Sequence, residues 1–312
     1  MNLYEQEIRF RSGATDFAGT LTLPAPSGAF PAVLLVTGSG PVDRNENCKK
    51  LRINAFYEIS HCLADNGIAS LRYDKRGVGE SGGDYWRTGF YDNVQDAHAA
   101  LHFLQVQESI RRDQVFVLGH SEGALIATRL AAMGAELAGI ALLAGAARSG
   151  EEILEWQAAQ IVKGLKGFAG WLIRTLHIDA LKGQQQKIDA IKASTQDWER
   201  KALIAKLNAK WMREFIAYNP GEDLPKVTAP VLAITGSKDI QVNPADLELM
   251  AQLVAGPFES HEIENMTHIL RIEPGEPSIS NYKAQIKQPL VPELLDLVAQ
   301  WLEKRMSAEK SR

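Results

Sequence analysis

The pentapeptide Gly-His-Ser-Glu-Gly at 119–123 constrains the folding of this chain more than any other stretch. An apolar run at 115–118 precedes it, and a run of helical character at 124–133 follows it. A serine between a strand and a helix requires a very tight turn, and the two glycines leave room for backbone where a side chain would clash. The turn lifts the Ser121 hydroxyl clear of the sheet. The motif therefore predicts a strand, a sharp turn and a helix in that order.

Apolar runs alternate with helical patterns along the rest of the chain. The continuous run at 31–37 is typical of a parallel strand that is buried on both faces. Strands are predicted at 7–11, 19–23, 31–37, 68–73, 115–118, 139–143, 231–235 and 261–263, and helices at 51–66, 92–107, 124–133, 244–253 and 292–306. This alternation predicts an α/β protein with a mostly parallel sheet that helices cover on both faces.

The segment 149–220 breaks the alternation, because it carries no strand pattern and helical periodicity dominates. It holds four of the six tryptophans: Trp156, Trp171, Trp198 and Trp211. We expect a core domain of residues 1–148 and 221–312 with a helical cap inserted at 149–220, lying over the sheet. The alternative is a satellite bundle whose tryptophans form a core of their own.

Bulk properties exclude several classes of protein. A net charge of −4 with no basic stretch argues against a nucleic-acid or anionic-membrane partner. No window approaches about 18 consecutive apolar residues, so no membrane insertion is expected. Residues 1–7 lack the features of a secretory signal, which favours a cytoplasmic location. A homo-oligomer is compatible with the sequence, which does not fix the oligomeric state.

The chain has two cysteines, Cys48 and Cys62. If both lay on one helix, about 21 Å would separate them, which is too far for a disulfide. We therefore expect two thiols in a reducing compartment. No cysteine or histidine spacing predicts a metal site.

A serine nucleophile needs a base to take its proton, and the base needs an orienting acid. His268 follows the predicted strand 261–263 in a loop at the carboxyl edge of the sheet, where ligands bind in open α/β sheets. His120 lies in the serine turn, where we expect its side chain to point away from Ser121. The other histidines are placed in predicted helices (His61, His98 and His102), in the insertion (His177) or in a predicted strand (His261). His268 is therefore the predicted base.

Asp239 is the predicted acid, because it directly follows the apolar strand 231–235. An aspartate at such a place also commonly caps a turn. The loop at 144–147, the other place for an acid, contains no carboxylate. Asp74 competes by position, but it precedes the serine in the chain and fits a structural turn with its own ion pairing.

The order Ser121, Asp239, His268 is the chain order of the α/β-hydrolase triad, and the chain resembles the α/β-hydrolase superfamily. The resemblance implies the α/β-hydrolase fold: an eight-stranded, mostly parallel sheet flanked by helices, with a helical cap insertion. The stretch Gly-Ser-Gly-Pro-x-Asp-Arg-Asn at 38–45, taken with the serine motif, also resembles a bacterial group of hydrolases described as esterase-like.

The resemblance further implies an oxyanion hole made of two backbone N–H groups. One belongs to Glu122, the residue after the serine. The other comes from the loop after the third strand, where Ser39 is favoured over Gly40. Thr37 stands where the superfamily often has histidine. A Glu122 carboxylate facing the oxyanion would oppose the developing charge, so we expect it to turn away and pair with Arg44.

These features predict a serine hydrolase that cleaves carboxylic esters of small to medium acyl groups through an acyl-enzyme, with no cofactor or metal. The alternatives are an aminopeptidase, amidase or thioesterase on the same triad, or a non-catalytic ligand-binding protein of the same fold. An aminopeptidase would need a cap carboxylate for the substrate amine, and the candidates are Glu151, Glu152, Glu155 and Glu214. The stretch 269–290 gives no clear pattern.

Overall fold

The computed structural model describes residues 3–164, 180–200 and 206–309, and an eight-stranded sheet runs through its centre. The strands of the described residues are β1 (Tyr4–Ser12), β2 (Thr15–Leu23), β3 (Phe30–Val36), β4 (Asn47–Cys48), β5 (Leu51–Arg52), β6 (Ala69–Tyr73), β7 (Ile110–His120), β8 (Gly139–Leu143), β9 (Trp198–Arg200), β10 (Lys206–Asn208), β11 (Val231–Gly236) and β12 (Phe258–Ile263). The short strands β4 and β5 form a separate pair, as do β9 and β10, and the other eight strands form the central sheet. The order in the sheet is β1-β2-β6-β3-β7-β8-β11-β12. Only β2 runs against its neighbours, so the sheet is mostly parallel.

Each of the eight predicted strands lies in this sheet, and the predicted fold class is confirmed. Strand β7 begins at Ile110, five residues before the predicted start. Exposed charged residues at 111–113 interrupt the apolar pattern there, although the backbone is already extended.

Helices cover both faces of the sheet. They are α1 (Ala55–Asp65), α2 (Phe90–Gln105), α3 (Glu122–Ala132), α4 (Gly150–Gly164), α5 (Ala180–Ala193), α6 (Ala209–Ala217), α7 (Asp246–Leu253), α8 (Tyr282–Gln285) and α9 (Pro292–Glu309). Helices α2, α3 and α7 contribute to one buried apolar cluster, which includes Phe90 and Leu125. Helices α1 and α9 contribute to a second cluster on the opposite face, which includes Phe56 and Trp301. The central strands of the sheet, such as β3 and β11, are therefore buried on both sides.

The helix predicted at 51–66 begins later than expected, at Ala55. Residues Leu51–Arg52 pair instead with Asn47–Cys48 as a short antiparallel ladder. The side chain of Asn47 exchanges two hydrogen bonds with Asn54, of 2.7 and 2.9 Å, and Asn54 has a left-handed φ of 53°. Because these hydrogen bonds and the left-handed backbone hold Asn54 out of the helix, α1 begins only at Ala55. Cys48 is therefore not on the helix of Cys62, and both cysteines are free thiols.

The insertion contains α4, α5 and α6, and these helices pack against one another. The prediction that it carries no strand is wrong, because β9 and β10 form a short antiparallel pair. The ammonium of Lys206 on β10 lies 4.6 Å from the ring centre of Trp198 on β9, which holds the pair together. Strands of three residues are too short to show a periodicity. Trp171 and His177 lie outside the described residues.

Strand β1 forms one edge of the sheet, with β2 as its neighbour. Its charged residues Glu5, Glu7, Arg9 and Arg11 alternate along the strand and are exposed. Among the helices of the described ranges, none combines the length and apolarity needed to cross a bilayer.

Candidate active site

Ser121 lies at the tight turn between β7 and α3, with φ 54° and ψ −116°. A methyl group on Gly119 would come within 2.0 Å of the Gly123 carbonyl oxygen, and one on Gly123 within 1.9 Å of the Val36 carbonyl oxygen. Both glycines are therefore required by close backbone approach. The Ser121 N–H donates to the Leu143 carbonyl at 2.9 Å, which ties the turn to the neighbouring strand β8.

The structure brings Ser121, His268 and Asp239 together in one hydrogen-bonded chain. His268 Nε2 lies 3.0 Å from Ser121 Oγ, and its Nδ1 lies 2.8 Å from Asp239 Oδ2. His268 follows β12, Asp239 follows β11 and Ser121 follows β7, so all three come from the carboxyl edge of the sheet. This is the arrangement in which a carboxylate fixes an imidazole that can take a proton from a hydroxyl.

The Asp239 carboxylate is held by its own loop as well as by His268. Its Oδ1 accepts hydrogen bonds from the backbone N–H groups of Gln241 at 2.7 Å and Val242 at 2.9 Å. The side chain is fully buried. Because Oδ1 is engaged by the backbone, Oδ2 is left to face the imidazole of His268.

Ser39 and Glu122 line the same cavity as Ser121. Among the described residues, neither backbone N–H donates a hydrogen bond to an acceptor. Two free donors beside a candidate nucleophile are what a developing oxyanion requires.

The cavity beside Ser121 has a volume of about 230 Å³. Its floor comes from the sheet edge and α3, and its roof comes from α4 and α6 of the insertion. The roof residues are mostly apolar: Ile153, Leu154, Gln157, Trp211, Met212 and Phe215. Trp211 and Phe215 stack, with ring centres 4.9 Å apart. The insertion therefore covers the site with an apolar, aromatic surface.

The Glu122 side chain does not pair with Arg44, and that prediction is wrong. Its carboxylate is buried and accepts three hydrogen bonds: from Lys75 Nζ at 2.8 Å, Asn93 Nδ2 at 2.9 Å and Trp211 Nε1 at 2.6 Å. These donors belong to the loop after β6, to α2 and to α6. Sequence reasoning missed all three, because they are distant in the chain from the serine motif.

Arg44 binds Asp74 instead, through its backbone N–H at 2.9 Å and its guanidinium at 2.8 and 3.2 Å. Burial raises the pKa of Asp74, but the hydrogen bonds from Arg44 and from the Glu80 N–H outweigh it, and the pKa lies below its ordinary value. Asp74 is thus held by Arg44 and the Glu80 N–H, and its ion-pair partner lies outside its own turn. The pair fixes the loop that follows β3 against the loop that follows β6.

His120 forms a second buried contact behind the serine turn. Its Nδ1 lies 3.0 Å from Glu46 Oε1, and its Nε2 lies 2.8 Å from the carbonyl oxygen of His268. Because both ring nitrogens face oxygen acceptors, both hydrogen bonds form when the ring is doubly protonated and Glu46 is ionised. Burial lowers the pKa of His120, but the neighbouring Glu46 charge outweighs it and raises the pKa above its ordinary value. No sequence motif marks Glu46.

The loop that carries His268 is fixed from behind by Arg271, which the sequence did not single out. This buried guanidinium donates to Glu58 Oε1 of α1 at 2.7 Å and to the Gln288 carbonyl at 2.9 Å. The uninterpreted stretch 269–290 therefore packs on the core beside the site.

Of the remaining described histidines, His61 lies on α1, His98 and His102 lie on α2 and His261 lies on β12, and none of these four lines the cavity beside Ser121. Within the described ranges, no group of three or more His, Cys, Asp or Glu side chains is placed to hold a metal ion.

Comparison with known proteins gives relatives of this chain. Esterase EstD of Thermotoga maritima is 29% identical over 290 residues, which are 92% of this chain and 65% of that protein. The chain therefore spans slightly less than two thirds of the length of this curated relative. A family model described as "Serine aminopeptidase, S33" matches residues 52–275, well over half of the chain.

Two solved structures show the same fold. Est1E from Butyrivibrio proteoclasticus, with ferulic acid bound, has a TM-score of 0.63 at 17% identity, covering 98% of this chain and 100% of that chain. The proline iminopeptidase of Mycobacterium smegmatis has a TM-score of 0.62 at 17% identity, covering 97% and 100%. With the family match and the sheet order described above, these findings establish that the chain belongs to the α/β-hydrolase superfamily and, within it, to the Serine aminopeptidase, S33 family.

Proposed function

We propose that this chain is a serine hydrolase that cleaves carboxylic esters of small to medium acyl groups through an acyl-enzyme. The observation that carries the proposal is the hydrogen-bonded chain from Ser121 through His268 to Asp239, beside two free backbone donors. The relative named as an esterase also supports ester cleavage. Ser121, His268 and Asp239 are the proposed catalytic residues.

Acylation begins when His268 Nε2 takes the Ser121 proton and Oγ attacks the ester carbonyl. The carbonyl electrons move onto its oxygen, which the N–H groups of Ser39 and Glu122 receive. Asp239 holds the neutral His268 in the required tautomer and stabilises the imidazolium that forms. Collapse of the intermediate breaks the ester C–O bond, and the imidazolium protonates the leaving alcohol. The acid half of the substrate remains bound to Ser121.

Deacylation repeats the sequence with water as the nucleophile. His268 removes a proton from the water, and the same two donors stabilise the second oxyanion. The imidazolium then returns its proton to Ser121 as the carboxylic acid leaves. These steps need no group beyond the side chains and backbone named here.

The cavity dimensions favour small to medium acyl groups. A cavity of about 150 Å³ holds benzene in an apolar interior. The 230 Å³ found here admits such a group with a few atoms to spare. The apolar roof offers contact to hydrocarbon rather than to charge, which suits an acyl chain.

The positions of the cap carboxylates support an ester substrate rather than a peptide with a free amino terminus. Glu151 pairs with Lys192 at 2.7 Å, Glu152 binds Ser149, and Glu214 accepts from the Tyr91 N–H. None of the four candidates, Glu155 included, lines the cavity. Among the described lining residues the carboxylate is Glu122, whose oxygens already accept three hydrogen bonds. A substrate ammonium thus finds no free acidic partner among them.

We further propose that residues 149–220 act as a cap that shapes the acyl site, with 1–148 and 221–312 as the core domain. The contacts of α4 and α6 with the cavity support this division. The aromatic pair Trp211 and Phe215 then serves the substrate rather than a separate cap core.

The test is hydrolysis of p-nitrophenyl esters from acetyl to dodecanoyl by the wild-type protein, by Ser121→Ala and by the control Ser280→Ala at an exposed position. We expect turnover to peak at short to medium chains and to decline for acyl groups of about ten carbons or more. Ser121→Ala should lose about 10³-fold or more in kcat, and Ser280→Ala should match the wild type. Aminoacyl p-nitroanilides are assayed in parallel.

Ester turnover that survives Ser121→Ala would overturn the mechanism. Turnover of aminoacyl anilides without turnover of esters would favour an aminopeptidase. Folded protein that turns over neither class but binds an ester analogue would point to a ligand-binding role.

A further inference from the structure

We propose that Lys75 is a positioning residue of the oxyanion hole, which fixes both backbone donors through one buried ammonium group. The inference rests on the proposed function, since it concerns the same site. Lys75 follows β6 and its side chain is 6% exposed. A lysine this deeply buried requires partners for its charge and its protons.

The first partner is the carbonyl oxygen of Gly38, to which Lys75 Nζ donates at 3.0 Å. The peptide from Gly38 to Ser39 is trans, so its C=O and its N–H point in opposite directions. When Lys75 holds the Gly38 carbonyl on one side, the Ser39 N–H must point to the other. Lys75 therefore sets the direction of the first oxyanion donor without touching the substrate.

The second partner is Glu122, whose Oε2 lies 2.8 Å from Lys75 Nζ. Glu122 contributes the second oxyanion donor through its backbone N–H. The ion pair thus joins the loop after β3 to the first residue of α3. One ammonium spans the two halves of the hole and fixes the separation of their N–H groups.

The remaining contacts of Glu122 and Gly38 explain why the lysine has no freedom to leave. Asn93 and Trp211 donate to Glu122 Oε1, which leaves Oε2 for Lys75. The Gly38 N–H donates to Glu46 Oε1 at 2.8 Å, so both polar groups of Gly38 are bound by side chains. However, Glu46 holds the preceding peptide unit, and among the described residues Lys75 alone donates a hydrogen bond to the unit that contains the Ser39 N–H.

The ion pair with Lys75 also offsets the electrostatic repulsion expected between the Glu122 carboxylate and an oxyanion. An unpaired Glu122 charge would repel the negative charge that develops on the substrate. Paired with Lys75, it forms a locally neutral unit, and the donors act at full strength.

The test compares Lys75→Met with the double variant Lys75→Met/Glu122→Gln, which removes both charges and so avoids a buried unpaired carboxylate. The matched control is Arg129→Met, which removes another ion pair to a buried carboxylate, that of Asp223, away from the oxyanion loop. For each variant we measure kcat and KM on the preferred ester, and thermal unfolding reports whether it is folded.

Two inhibitors separate positioning from general damage. A trifluoromethyl ketone adds Ser121 Oγ to its carbonyl and places an oxyanion in the hole, whereas the matching methyl ketone binds with its carbonyl unreacted. Losing one oxyanion donor costs about 10²–10³-fold in kcat, and misdirecting donors should cost about 10–100-fold. We expect that fall in kcat with nearly constant KM. The trifluoromethyl ketone Ki should rise by a similar factor, and the methyl ketone Ki should not change.

Arg129→Met should alter the unfolding temperature without changing the ratio of the two Ki values. The inference is overturned if the folded double variant keeps wild-type kcat, or if both inhibitors weaken equally. If Ser121→Ala loses the wild-type turnover, but the double variant has the wild-type ratio of trifluoromethyl ketone Ki to methyl ketone Ki, this inference alone is overturned. Wild-type turnover that survives in Ser121→Ala overturns the proposed function itself.

Discussion

At the scale of single residues, the turn at Ser121 depends on space rather than on side-chain contacts. A methyl group at position 123 would meet the Val36 carbonyl at 1.9 Å, and backbone cannot retreat as a flexible side chain can. The positive φ of Ser121 adds strain that this packing must hold. Glycine at 123 is therefore a condition for β3, β7 and α3 to meet.

We predict that Gly123→Ala lowers the free energy of unfolding by about 3 kcal/mol or more, and abolishes ester turnover, because the new methyl overpacks the turn. Gly183→Ala on α5 is the matched control, since a methyl there meets no atom of the described residues within 4 Å. It should be neutral or slightly stabilising. Urea unfolding of both variants makes the comparison, and a Gly123→Ala protein as stable and active as the wild type would contradict the reasoning.

At the scale of elements, helix α6 of the insertion is attached to the core by several polar contacts. Asn208, which precedes it, donates to the carbonyls of Tyr85 at 2.6 Å and Thr88 at 2.7 Å. Lys210 pairs with Asp92 at the start of α2. The roof of the cavity above Ser121 is thus a fixed wall along α6.

We predict that Asn208→Ala destabilises the protein by about 2–3 kcal/mol, because it removes a helix N-cap and the side-chain donor to the Thr88 carbonyl, while the Tyr85 carbonyl keeps the Thr88 N–H at 3.3 Å. The N-cap bond is the one that Asn208 Oδ1 accepts from the Trp211 N–H at 2.9 Å. The control is Asn219→Ala, which removes an N-cap from a single 3₁₀ turn. Equal losses for the two variants in urea unfolding would show that the contacts of Asn208 to the core carry no special weight.

The elements of the sheet could be predicted from sequence, and many of the side-chain contacts of the site could not. Strands such as β3 and β11 are buried on both faces, so their residues form continuous apolar runs that are readable locally. The position of Asp239 directly after β11 was therefore readable as well, whereas His268 follows the partly exposed edge strand β12 and was predicted from its loop position and its chain order relative to Ser121. The partners of Glu122 were not, since Lys75 and Trp211 lie 47 and 89 positions away and carry no local signal.

At the scale of the whole molecule, two buried ion pairs join distant parts of the chain. Asp74 binds Arg44, which also reaches Glu7 on β1 at 2.6 Å. His120 binds Glu46 and the backbone of His268. The two pairs respond to pH in opposite directions, because one pKa is lowered by folding and the other is raised.

We predict that these pairs limit stability on the acid and the alkaline side. The lowered pKa of Asp74 means that its contribution is complete above its ordinary value of 3.8 and is lost as the pH falls through the folded-state pKa. The raised pKa of His120 means that its contribution is complete below 6.5 and is lost as the pH rises through the folded-state pKa.

Melting temperatures from pH 3 to 9 test this, with Asp74→Asn and His120→Gln beside the wild type. The difference in melting temperature between the wild type and Asp74→Asn should become smaller at the acid end of the range. The difference between the wild type and His120→Gln should become smaller at the alkaline end. Gaps that stay constant across the range would show that neither pair titrates as described.

The edge strand β1 has a consequence for how copies of the protein meet in concentrated solution. One side of this nine-residue strand presents backbone groups that another strand could pair with. Its alternating exposed residues, Glu5, Glu7, Arg9 and Arg11, carry charges that remain partly in water while each pairs with an opposite charge on a neighbouring element. An incoming strand would have to strip that water and align charges of both signs. The charged side chains of β1 therefore oppose the addition of a strand from another copy, and the strand that completes the sheet also limits aggregation through its edge.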